Sequence, residues 1–172
     1  MELVFALSML GGFILLAAWL VIGRLTRTQL LIHEQAQRFE LQAKLIPIKT
    51  QAIERLVLFI ERIRPDGLVN RLAVTESTAA GLQLAMLSQI RLEYEHNLAQ
   101  QLYLSNSTWQ AVQLARDEVI GMVHKAASIT PPDASAIQFT RNLFKIGQGQ
   151  ALLACNEAVL KLKKEIHVLH QK

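Results

Sequence analysis

One cysteine, four prolines and eight glycines are all that this 172-residue chain holds of the residues that staple, break or loosen a backbone. The lone cysteine, Cys155, forms no internal bridge, which excludes a disulfide scaffold and suits a reducing compartment. With so little Pro and Gly, turns are few, and plentiful Ala, Leu, Gln, Glu and Lys favour an all-α chain. Aromatic residues make up only 6%, too sparse for the stacking platforms of nucleic-acid binders. The sequence also has no Gly-rich phosphate loop, no Ser-His-Asp arrangement and no paired-carboxylate motif, so no cofactor or reaction is written in it.

What the chain does hold is one long uncharged run. Leu3–Gly23 (LVFALSMLGGFILLAAWLVIG) has a single hydroxyl, Ser8, and no charge. As a helix rising about 1.5 Å per residue it reaches roughly 31 Å, matching a hydrocarbon layer of about 30 Å. A cleaved signal peptide would need a basic start, a shorter apolar core and a small-residue cleavage site. Here Met1-Glu2 precedes the run and Trp19-Leu20-Val21-Ile22 fills the cleavage position, so a retained single-pass span is predicted. Arg24 and Arg27 close it, and basic flanks stay on the cytoplasmic side. The expected topology is therefore a plasma (inner) membrane protein with its N-terminus outside and its C-terminal domain cytoplasmic. Trp19, Arg24 and Arg27 mark the membrane interface. Ser8 and Gly12 form a small-xxx-small pair through which two spans can approach, the feature that would support a homo-oligomer; small residues are also simply common in spans.

The basic excess lies close to that span. Residues 24–64 carry eight basic side chains against four acidic ones, whereas residues 65–172 carry ten against nine. Positive charge beside a span meets anionic lipid at about 1 kcal/mol per side chain. A nucleic-acid partner would want a basic face on the globular part, so none is expected.

The expected domains are a transmembrane anchor (1–23), a juxtamembrane helical stalk (24–46) and a cytosolic antiparallel helical bundle (47–172). Leu25, Ile32, Phe39, Ile46, Ile53 and Ile60 recur every seven residues, but Thr28, Gln35, Gln42 and Lys49 between them are polar. A stalk packed along one side fits this better than a zipper. Pro47 interrupts the helix or opens a new one. Ile48, Ala52, Ile53, Leu56, Val57, Ile60 and Ile63 share one face. Arg64-Pro65-Asp66-Gly67 then reads as a turn.

A helix over about Glu76–Leu102, capped by Thr75 or Ser77, carries the stripe Leu82, Met86, Ile90, Tyr94, Leu98 and Leu102. Ser107 and Gln110 have capping-box spacing and open the next helix, with Trp109, Val112, Val119, Val123 and Ala126 inward. Ile129–Asp133 is a break. Ala134–Ile146 reads as helix with Ile137, Leu143 and Phe144 inward, weakened after it by Gly147 and Gly149. A last helix covers about Ala151–Leu169.

Leu45–Pro65 (LIPIKTQAIERLVLFIERIRP) and Arg91–Asn97 (RLEYEHN), with Gln100, Gln101, Tyr103 and Trp109, resemble an uncharacterised bacterial family of single-span membrane proteins. Its members have a cytosolic helical domain of unknown function. The resemblance implies topology and helical architecture and transfers no catalytic residue.

Three places bear on chemistry. Glu93-x-x-His96 has the i, i+3 spacing by which ferritin-like bundles present iron, but that site needs a second such pair and further glutamates, and this chain has no second pair. Completion across a dimer, as a di-iron-like oxidoreductase, is the metal-bearing alternative; otherwise the pair is a polar rim. His167 and His170 share the same spacing without a preorganised third ligand. Cys155 sits in an apolar helix stretch that keeps a thiol protonated and inert. No enzyme and no metal site are predicted. Instead Arg91, Glu93, Glu95, His96, Asn97, Gln100 and Gln101 form a candidate docking surface for a protein partner at the inner membrane face. The alternative is an accessory subunit of a larger membrane complex.

Overall fold

A computed structural model describes residues 1–146 and 149–170, with side chains over residues 39–146 and 149–168 and at a minority of earlier positions. The described residues are helical with no strand. In chain order they form α1 (Glu2–Ile63), α2 (Pro65–Leu72), α3 (Ala79–Asn97), the 3-10 helix η1 (Leu98–Tyr103), α4 (Asn106–Ser128), α5 (Ala136–Lys145) and α6 (Gly149–His170). The chain divides into two compact units, residues 1–45 and 46–172.

In the first unit the backbone of Leu3–Gly23 is helical throughout. Among the described residues no helix is long and apolar enough to cross a membrane. Most side chains of Leu3–Gly23, Ser8 included, and those of Arg24 and Arg27 lie outside the described ones. Of those described, Phe13, Leu15 and Trp19 are each about 70% exposed. Phe39 and Leu41 are exposed as well, so the stalk expected to be packed along one side has no protein cover at either position. Pro47 neither ends α1 nor opens a new helix; its residue does adjoin the boundary between the two units.

The second unit is organised on the helical face read from the sequence. Ala52, Ile53, Leu56, Ile60 and Ile63 are buried, joined by Phe59. Ile48 is left 43% exposed. The core continues through Leu82, Met86 and Ile90 of α3, Val112, Ala115, Val119 and Val123 of α4, Phe139 and Leu143 of α5, and Cys155, Ala158 and Leu162 of α6. Small residues on α4 and α6 let these two helices lie along each other. Removing one of the larger side chains, such as Phe59, would cost about 3–5 kcal/mol.

Several boundaries fall elsewhere than expected, each for a local reason. Pro65 occupies the first turn of α2, where its missing N–H would be unbonded anyway. Gly67 is thus helical and not a turn residue. Thr75 does not cap α3; its hydroxyl donates to Leu72 O (3.0 Å) and closes α2. Thr78 is the N-cap of α3, accepting from Gly81 N at 3.1 Å. The predicted stripe fails at Leu98 and Leu102, which are 40% and 79% exposed. There the α-helix gives way to η1, whose three residues per turn carry later side chains off the 3.6-residue line. The N-cap of α4 is Ser105 and not Ser107. In α5 the inward residues are Ala136, Phe139 and Leu143, while Ile137 and Phe144 face out. Gly147, expected to weaken the chain here, lies outside the described residues.

The Ile129–Asp133 break is present, and it returns α5 beside the start of α3. Ala79 N donates to Ala134 O (2.7 Å), Ala80 N to Pro132 O (3.1 Å), and Ala136 N to Ser77 O (3.0 Å). Thr78 and Ser135, the two N-caps, thereby face each other across a single antiparallel bridge. Donors that a helix start leaves free are met here by the neighbouring loop.

Candidate functional site

The polar block at the end of α3 is built on an i, i+4 ladder. Gln89 Nε2 donates to Glu93 Oε1 (3.2 Å), and Asn97 Nδ2 donates to the Glu93 carbonyl (2.8 Å). Arg62 Nη1 reaches across from α1 to both carboxylate oxygens, at 3.0 and 3.2 Å. The Glu93 side chain is only 13% exposed and that of Arg62 57%. One partner is sheltered and the other solvated, so the pair is worth no more than about 1 kcal/mol. Its geometric effect is larger: it fixes which way the Glu93 carboxylate points.

Next to it lies an aromatic seam. Phe59 and Tyr94 meet at 6.1 Å with ring planes tilted by 52°, and Tyr94 stacks on Trp109 at 5.8 Å and 23°. The Arg116 guanidinium lies over the Tyr94 ring, 4.1 Å from its centre, a cation–π arrangement. Asp117 holds the same guanidinium at 2.7 Å. Gln113 Nε2 approaches Tyr94 Oη at 3.5 Å. Reading the sequence as a search for apolar stripes passed over Arg116. Its signal is there, since Trp109, Gln113 and Arg116 recur at helical spacing.

The candidate docking residues therefore divide. Glu93 turns inward and Asn97 is buried, both serving the bundle; Gln100 is half-buried in η1. Arg91, Glu95, His96 and Gln101 are exposed. Both Glu93 oxygens are already bonded to Arg62, so the Glu93–His96 spacing does not present a free carboxylate. Among the described residues no three or more His, Cys, Asp or Glu side chains converge as a metal site would require. His167 is exposed, and the side chain of His170 lies outside those described.

Cys155 is fully buried. Burial pushes its thiol up to about 11, with Arg64 pulling the other way and Glu61 and Asp66 adding to the rise. A thiol held protonated is a poor nucleophile. One turn of chemistry away, Arg64 Nη1 is spent on Asn156 Oδ1 at 3.1 Å.

A second polar cluster, unforeseen in the sequence, joins α4 and α6. Glu165 Oε1 accepts from Ser105 N at 2.6 Å, and its Oε2 lies 3.0 Å from Ser105 Oγ. Ser105 Oγ in turn caps Thr108 N at 3.4 Å. A capping box takes its glutamate from three residues downstream; here the carboxylate comes from another helix, beyond the reach of any local pattern.

The chain belongs to a family of unknown function, DUF7935, whose model matches residues 2–169. No curated protein matches it, and neither does any solved structure.

Proposed function

We propose that this chain is a membrane-anchored helical interaction module, held by Leu3–Gly23 with residues 24–172 in the cytoplasm, and that it carries no catalytic site of its own. The observation that carries the reading is the uncharged Leu3–Gly23 run closed by Arg24 and Arg27. Its backbone is helical, and the large apolar side chains described in it, Phe13, Leu15 and Trp19 among them, are exposed. Exposed apolar side chains along one helix call for an apolar medium. Anchoring confines the bundle to a thin layer beside the bilayer and so raises the effective concentration of any partner there. Arg91, Glu95 and His96 of α3 and Gln101 of η1 are the exposed side chains available for that partner, with Glu93 and Asn97 fixing the inner face of α3.

An accessory subunit of a larger membrane complex is the second reading, favoured by the Ser8/Gly12 pair. A metal-bearing oxidoreductase assembled across a dimer would require Glu93 to release Arg62, which counts against it. Fusing a reporter that is fluorescent only in the cytoplasm after Lys172, and separately one active only outside the cell, tests the topology. The first is expected to be active and the second silent; the converse overturns the proposal.

A further inference from the structure

α1 is a single helix of 62 residues with Pro47 inside it. Proline has no N–H to give, so the carbonyl of Ala43, four residues earlier, loses the donor that an α-helix would supply. The ring also crowds that same carbonyl. Sharp bends in long helices gather at such positions. The residues just before it (Glu40, Leu41, Gln42, Ala43, Lys44 and Leu45) are good helix formers. The weak point is therefore the missing bond and not the local composition.

A turn that contains proline can be held closed by packing. Here it is not. Across residues 39–51 no side chain is buried, and Phe39, Leu41, Leu45 and Ile48 all stand exposed. Lys44 meets Glu40 at 2.8 Å, but these side chains are 71% and 68% exposed, and a solvated pair one turn apart adds little.

Burial begins abruptly at Ala52 and Ile53 and continues through Leu56, Phe59, Ile60 and Ile63. The C-terminal end of α1 is held by side chains as well. Arg71 Nη2 donates to Arg62 O, and Arg64 Nη1 donates to Asn156 Oδ1 at 3.1 Å. The division of the chain into two compact units falls between Leu45 and Ile46, one residue ahead of Pro47. The missing bond, the absence of cover and the unit boundary thus coincide within about one turn.

We infer that residues 43–47 are a joint in α1: the helix opens there locally, while residues 52–63 stay closed as part of the bundle core. An unbroken rod would carry any movement of its uncovered part into Ala52 and Ile53. The joint absorbs that movement before it reaches a core contact, at the few residues that can change their dihedrals freely. The inference uses only the bonds and burial of α1 itself, so it stands or falls independently of what surrounds Leu3–Gly23.

The test follows backbone amides of the full chain in mild detergent by hydrogen exchange and mass spectrometry, beside Pro47→Ala, which restores the missing donor. In the parent, a peptide covering residues 40–51 is expected to exchange on the order of a hundredfold faster than one covering residues 53–62. Pro47→Ala should slow the first about tenfold or more, proline being far the poorer helix residue, and leave the second unchanged. Brief trypsin treatment of the native chain gives a second reading, since Lys44 and Arg55 are both exposed side chains on α1. Cleavage is expected after Lys44 and not after Arg55, and more slowly in Pro47→Ala. Equal protection of the two peptides overturns the inference. So does fast exchange of residues 40–51 that Pro47→Ala leaves unchanged, which would assign the opening to lack of cover alone. Cutting after Arg55 as fast as after Lys44 overturns it too.

Discussion

Glu165 closes the start of a helix that begins sixty residues before it in sequence, taking Ser105 N at 2.6 Å. The contact ties α6 to the point where η1 hands over to α4. A cap supplied from another helix makes local helix stability depend on tertiary packing, so the two should be lost together. Glu165→Ala is expected to destabilise the bundle by about 1 kcal/mol, the usual worth of a cap or a charge-assisted hydrogen bond. Combined with Ser105→Ala it should cost less than the two changes summed. Urea denaturation of the four proteins in that cycle checks it; strict additivity would show that the contact does not act as a unit.

Arg62 and Glu93 should couple weakly. Because Arg62 is mostly solvated, Arg62→Gln should cost under about 1 kcal/mol, and less again at high salt. Glu93→Leu should cost more, since it also deprives Gln89 of its acceptor. Equal losses for both changes would mean that the pair, and not the sheltered carboxylate, carries the energy.

Cys155 makes stability fall at high pH. The folded thiol holds its proton up to about pH 11 against 9.0 for a free one. Its contribution is therefore complete below about pH 9 and lost progressively as pH rises toward 11, by roughly 2–3 kcal/mol in all. Denaturation midpoints of the parent should drop across that window more steeply than those of Cys155→Ala. Alkylation of the native protein at neutral pH should be slow until denaturant is added.

Thr140 Oγ1 is buried with no hydrogen-bond partner among the described residues. Valine keeps the branched shape and removes the unmet hydroxyl. Thr140→Val should leave stability unchanged or raise it by about 1 kcal/mol. A clear loss would reveal a partner for the hydroxyl.

Helix content, the face of α1 from Ala52 to Ile63 and the face of α4 were legible in the sequence because the apolar residues there recur at 3.6-residue spacing. Leu98 and Leu102 were misplaced because a 3-10 turn leaves no mark on that pattern. Phe139 was passed over for Ile137 and Phe144 because a ten-residue helix offers four large apolar residues and room to bury only some of them. Polar residues were harder still. Glu93 and Asn97 were legible as unusual but not as inward-facing, since the partner that orients Glu93, Arg62, is on a different helix. Glu165 had no signal at all, because its role depends on where α4 happens to begin.

Alkaline carbonate extraction of membranes from cells making the full chain tests the anchor most directly. The chain should stay with the lipid pellet, while a variant with Leu15→Arg and Leu16→Arg, which interrupts the uncharged run at mid-depth, should move to the supernatant. Release of the unaltered, folded chain by carbonate would contradict the account.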